Sequence, residues 1–238
     1  MDDSRPRTAY AAWEVDLTLE EALGRADRAD PVCPRTGGPA GNARLTAWTG
    51  MVLLVLLAVE GVTLIDVRGL ISWHIVVGTL LVPPALLKTA TTGWRILRYY
   101  RGERVYRAAG PPPMPLRVLG PLVVLSTMAL LATGILVALI GPQSGRAGLW
   151  GTPASPLFLH QASFAVWVTV TSLHVLGRIV PALRIVSGRA TSAGVDGRWV
   201  RLALLVVVLA GAVWLAVVVL GGSADWTHQV FDHFPREG

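Results

Sequence analysis

Five histidines occur in the chain, and three of them, His74, His160 and His174, interrupt long apolar runs. His74 lies in SWHIVVG, and His160 and His174 lie in FLHQASFAVWVTVTSLHVLG. An imidazole in such a setting ligates a metal through one ring nitrogen or moves a proton between the two. Ionisable side chains within an apolar membrane segment are costly and mark function by default. Lys88 belongs with them. It is the only lysine in a chain with 20 arginines, so a demand for charge alone predicts arginine at this position. Glu60 adds a carboxylate near the end of another apolar run.

These residues need elements that hold them. The chain has 238 residues, 53% of them hydrophobic, and a mean hydropathy of +0.54. The apolar residues concentrate in five stretches, 45–65, 69–92, 116–140, 156–181 and 199–220. Each reaches the ~20 residues that cross a ~30 Å hydrocarbon layer. Lipid offers the backbone no hydrogen bonds, so each is expected to be a helix. The sequence therefore predicts an all-α membrane protein of five transmembrane helices. Pro83-Pro84 predicts a kink in the second. Residues 1–44 are expected to form a polar, largely flexible tail, 45–220 the membrane domain and 221–238 a second tail. Within the first tail, 15–27 (VDLTLEEALGRAD) suits a short helix, with Thr18 and Glu21 resembling a capping box. The following DPVCPRTGGPAGN reads as a linker. No basic start followed by an apolar core marks a secretory signal.

Arginine placement sets the expected orientation. Residues 1–44, the loop after the second stretch (with Arg117 at the head of the third) and the loop after the fourth hold fifteen arginines, against three (Arg68, Arg146 and Arg236) on the other side. By the positive-inside rule the N-terminus is cytoplasmic and the C-terminus extracytoplasmic. The net charge of +6 is thus a matter of topology, and a nucleic-acid partner is not expected. Cys33 is the single cysteine, which excludes an intramolecular disulfide and a C-x-x-C-H attachment site for covalent haem.

In this orientation the second and fourth stretches run parallel, and His74 and His160 both stand about one turn from the extracytoplasmic end. Two imidazoles at one depth match the two axial ligands of a low-spin b-type haem. The bland alternative is a pair of polar residues bonded to carbonyls near helix ends. His174 follows His160 by 14 residues, so it lies on roughly the same face, ~21 Å further along at ~1.5 Å per residue. That spacing suits a second haem. Gly120 and Gly134 repeat the 14-residue interval in the third stretch, and Gly61 stands in the first. A glycine facing a porphyrin leaves room for the ring, and ordinary small-residue helix packing explains the same pattern. Lys88, 14 residues after His74, stands where a second ligand for His174 would be. It fits three roles: a neutral amine ligand, a partner of a haem propionate or quinone oxygen, or a side chain snorkelling to the interface. Glu60 fits a proton relay, a pair with Arg68, or a carboxylate reaching the interface. Trp73 and Trp167 suit packing or an interfacial belt. His228 and His233, with Asp225 and Asp232, suit a solvated tail better than a metal site, because their spacing matches no strong motif.

With these residues in place, the region from Leu64 to Val186 resembles the bacterial b-type membrane cytochromes of the cytochrome b and b561-like family. The segments SWHIVVGTLLVPPALLKTATTGWRILRYYRG and FLHQASFAVWVTVTSLHVLGR carry the likeness, which covers about half the chain. It is also similar to small actinobacterial cytochrome b proteins, which often accompany molybdopterin or other membrane-linked oxidoreductases. The resemblance implies a haem-binding four-helix bundle in the bacterial inner membrane. It implies haem b, one or two per chain, with His74, His160 and His174 at iron-ligand positions. It also implies membrane lipid around the bundle, quinone as a candidate electron source, and an extracytoplasmic oxidoreductase as partner. Lys88 departs from the family pattern, which has histidine there. Two other function classes compete: a transmembrane ferric or quinone reductase, and a haem-free transporter or scaffold. No dinucleotide glycine fingerprint supports self-contained reduction, and a single proline-broken stretch gives no paired broken helices for transport.

Overall fold

The computed structural model describes residues 7–26, 30–149, 154–189 and 194–222. Among these the chain is helical, without strands. The helices are α1 (Arg7–Ala22), α2 (Gly38–Thr63), α3 (Ile71–Leu80), α4 (Val82–Tyr100), α5 (Arg104–Ala109), α6 (Met114–Arg146), α7 (Pro156–Val186) and α8 (Arg198–Gly222). Five stretches are long and apolar enough to cross a membrane: Gly38–Thr63, Ile71–Tyr100, Met114–Gly141, Pro156–Val186 and Arg198–Gly222. They coincide with the five stretches read from the sequence. Large apolar side chains on them remain outward, including Val206, Val207, Val213, Trp214 and Val217 on α8. In water such a surface invites association, and in lipid it is the surface required.

Local sequence explains where the helices break. Pro83 and Pro84 have no N–H, so one turn of the second span loses backbone bonds. The helix is interrupted at Leu81, which keeps helical angles (φ −69°, ψ −26°), and the Ala85 N–H donates to the Leu81 carbonyl at 3.0 Å. The expected kink is therefore a brief break between α3 and α4. Gly141 takes φ 80°, a left-handed angle favouring glycine, and ends the spanning part of α6. Threonines inside the spans satisfy their hydroxyls on the preceding turn: Thr49 donates to the Leu45 carbonyl at 2.8 Å and Thr79 to that of Ile75 at 2.7 Å.

The chain divides into two compact units. One comprises Met1–Met51, Lys88–Val124 and Thr169–Leu202. Here the described residues of the segment expected as a largely flexible tail with one short helix carry α1, the start of α2 and several long-range contacts. α1 starts at Arg7 rather than near 15, and α2 starts at Gly38, inside the stretch read as linker. Three acidic residues account for much of this order. The Glu14 carboxylate accepts from the Met114 N–H at the start of α6. Asp30 makes a two-point ion pair with Arg95 at 2.6 and 2.8 Å. Glu21 meets Arg178 at 3.3 Å. Asn42 Nδ2 donates to the Thr91 carbonyl at 3.0 Å and Thr46 Oγ1 to Thr91 Oγ1 at 2.9 Å, tying α2 to α4. The other unit comprises Val52–Leu87, Leu125–Val168 and Ala203–Gly238. Its apolar core is Ile75, Val137, Ala138 and Val219, with Ile71, Leu157 and Leu215 packed against them.

Candidate functional site: a tethered histidine pair

His74 and His160 belong to the same unit and come together. His74 lies in the first turn of α3. His160 lies in the first turn of α7, which opens at Pro156, a residue suited to a helix start because the first N–H has no intrahelical partner anyway. Their ring centroids are 6.3 Å apart, with ring planes at 75°.

Each imidazole is tethered through Nδ1. His74 Nδ1 lies 2.7 Å from Glu60 Oε1 and 3.1 Å from Thr63 Oγ1. Thr63 already gives its hydroxyl proton to the Glu60 carbonyl oxygen at 2.7 Å. Its lone pair therefore accepts, and so does the carboxylate, which places a proton on His74 Nδ1. The same accounting holds opposite. His160 Nδ1 lies 3.3 Å from Thr133 Oγ1, whose proton goes to the Ala129 carbonyl at 2.7 Å. Both rings are thereby set with Nδ1 protonated, leaving Nε2 as the nitrogen with a lone pair. A metal-binding histidine has this arrangement, its other nitrogen donating to an oxygen that fixes the ring. Glu60 Oε2 is buried without a hydrogen-bond partner, so this carboxylate brings a poorly solvated negative charge to the pair.

Two imidazoles this close, each with Nδ1 held by an oxygen, would suit one haem iron, which they would hold through their Nε2 atoms. Among the described residues no three His, Cys, Asp or Glu side chains converge into a metal cage. Two ligands are all that haem iron takes from the protein.

The glycines separate into two kinds. A Cβ on Gly134 would meet His160 Cε1 at 2.9 Å and Nδ1 at 3.3 Å, so this glycine makes room for the imidazole itself. A Cβ on Gly61 or on Gly120 would meet nothing within 4 Å. Glu60 turns to His74 rather than to Arg68, with which the sequence offered a pair. Thr63 and Thr133 went unnoticed in the sequence, although Thr63 is three residues after Glu60 and Thr133 adjoins Gly134. Trp73 is exposed, while Trp167 donates from Nε1 to Thr127 Oγ1 at 3.0 Å and stacks with Phe164.

His174 and Lys88 lie in the other unit. The Lys88 amine donates to the Thr46 carbonyl at 3.3 Å and rests against Gly50, whose added Cβ would lie 3.0 Å from Nζ. His174 Nδ1 is buried without a partner, and so is Thr171 Oγ1 one turn earlier. Among the described residues this Nδ1 meets no hydrogen-bond partner, unlike the Nδ1 atoms of the other two histidines. His228, His233, Asp225 and Asp232 lie outside the described residues. Comparisons with protein-family models, curated proteins and solved structures give no match for this chain.

Proposed function

We propose that the His74–His160 pair holds one haem b and that the protein is a membrane electron-transfer cytochrome. The observation that carries this reading is the paired geometry: two imidazoles with ring centroids 6.3 Å apart, each with Nδ1 tied to an oxygen. Bound haem supplies reversible one-electron iron chemistry. The protein's own part is to hold and tune. α3 and α7 each supply one ligand. Thr63, Thr133 and Glu60 keep both rings in one tautomer and resist their rotation. Glu60, nearby and largely buried, favours the more positive, oxidised state of the site. The apolar side chains of the surrounding unit keep water away.

With the arginine-rich ends cytoplasmic, His74 and His160 lie toward the extracytoplasmic face of the bacterial inner membrane. That position suits electron delivery between quinone or another donor and an extracytoplasmic oxidoreductase. One haem is the count favoured, because the Lys88 amine is engaged by a backbone carbonyl and His174 Nδ1 meets no hydrogen-bond partner among the described residues.

The test is haem quantification on the purified full chain, by pyridine haemochrome and reduced-minus-oxidised spectra. One haem per chain is expected, lost in His74→Ala and in His160→Ala and kept in His174→Ala and Lys88→Ala. Folded wild-type protein without haem overturns the reading. Two haems, one lost with His174, would overturn the single-site assignment.

A further inference from the structure

α1 presents its sides in an unusual order. Glu14, Thr18 and Glu21 share one helix face and turn toward the protein, with Glu14 only 6% exposed. Val15, Leu19 and Leu23 share another and are 47%, 53% and 60% exposed. Water rewards the opposite arrangement, since apolar area gains about 25 cal/mol per Å² when removed from it. The arrangement is stable where the outward apolar stripe meets lipid, as in helices that lie in a membrane interface.

The stripe ends at an open groove. Leu23 borders this space of about 410 Å³ in the same unit, together with Gly24, Val180, Leu183, Arg184, Ser187 and Arg189. Arg184 Nη1 donates to the Gly24 carbonyl at 2.7 Å, which holds the turn after α1 against α7. Gly24 has φ 70°, and a Cβ there would lie 3.0 Å from Val180, so chain and helix meet closely. The last carbonyls of α7 would repel an anion, but they are already engaged: the N–H groups of Ser187, Gly188 and Arg189 donate to Leu183, Ile185 and Arg184. The Ser187 hydroxyl gives its proton to the Arg184 carbonyl at 3.2 Å, which leaves two guanidinium groups beside aliphatic side chains to match a phosphodiester carrying acyl chains. Basic pockets at the ends of membrane-spanning helices bind anionic lipid headgroups.

We infer that Arg184 and Arg189, with the Val15–Leu19–Leu23 stripe, form a binding site for an acidic membrane phospholipid. The headgroup phosphate meets the arginines and the acyl chains run along α1 and the end of α7. The site does not depend on the haem reading. Native mass spectrometry of the detergent-solubilised full chain tests it, with phosphatidylglycerol and phosphatidylcholine added in equal amounts. The wild type retains phosphatidylglycerol selectively. Arg189→Gln lowers that selectivity about fivefold, the effect of one cation near an anionic lipid surface. Leu19→Ser lowers retention of phosphatidylglycerol as well. Both residues are exposed, so both variants keep the fold. Equal retention of the two lipids by the wild type, or unchanged retention in both variants, refutes the site. Displacement of phosphatidylglycerol by equimolar inorganic phosphate refutes the lipid and leaves a plain anion site.

Discussion

Gly134→Ala is a one-carbon test of the histidine pair. The added Cβ would lie 2.9 Å from His160 Cε1, and ordinary contact begins near 3.4 Å, so the ring must retreat by about 0.5 Å. The Nδ1 contact to Thr133 Oγ1 is 3.3 Å before any movement, and at about 3.6 Å such a contact is no longer a hydrogen bond. The retreat therefore releases the tether. It also exceeds the ±0.2 Å within which metal–ligand distances must fall. Loss of one such outer partner typically lowers metal affinity about 10–100-fold. The substitution should leave the helix intact, since alanine favours a helix over glycine by about 0.5–1 kcal/mol. Purified Gly134→Ala is expected to be fully helical by circular dichroism and monodisperse. Its haem is expected to be substoichiometric, or high-spin in the absorption spectrum, and more readily lost to apomyoglobin. Full, low-spin haem with an unchanged loss rate would refute the argument that this glycine exists to seat His160.

Three further outcomes follow from the same geometry. Gly61→Ala and Gly120→Ala, where an added Cβ meets nothing within 4 Å, should keep thermal stability at or above wild type. A haem deficit in a stable Gly61→Ala protein would show that the porphyrin occupies that open side, and full haem would remove Gly61 from the site. Glu60→Gln keeps an oxygen for His74 Nδ1 but removes a charge that favours the oxidised state, so the midpoint potential should rise by tens of millivolts, where 59 mV corresponds to about 1.4 kcal/mol for one electron; a redox titration showing no change or a fall would refute the assigned role. Asp30→Asn leaves Arg95 without its two-point partner, and with the carboxylate 11% and the guanidinium 24% exposed the expected loss is about 2 kcal/mol, below that of a fully buried pair; an unchanged unfolding midpoint would restore the view of residues 1–44 as a loose tail.

The spans were legible because lipid imposes a simple rule. Twenty apolar residues without interruption have one stable form there, so length and composition located all five stretches. The pairing of His74 with His160 was legible for a related reason: alternate crossing makes the second and fourth spans parallel, and each histidine stands about one turn from its helix start. The supporting oxygens were not. Thr63 and Thr133 look like any intrahelical threonine, and only the positions of the neighbouring rings show that their lone pairs face Nδ1. Gly134 was singled out for a porphyrin, and the structure gives its space to an imidazole.

In residues 7–26 and 30–44, composition showed a short helix and a linker but not the contacts they make. Gly, Pro and Asp in that segment suggest a linker, because local propensity sees turn formers and no apolar period. What orders it is a set of partners far along the chain: Met114 for Glu14, Arg178 for Glu21 and Arg95 for Asp30. By itself, the sequence determined which segments are long and apolar enough to cross a membrane and which side chains are costly there, since both depend on the transfer of single residues into lipid. The tertiary structure alone decided which of those side chains meet, which nitrogen each imidazole leaves open and which carboxylates turn inward, because each depends on the approach of residues that the sequence keeps far apart.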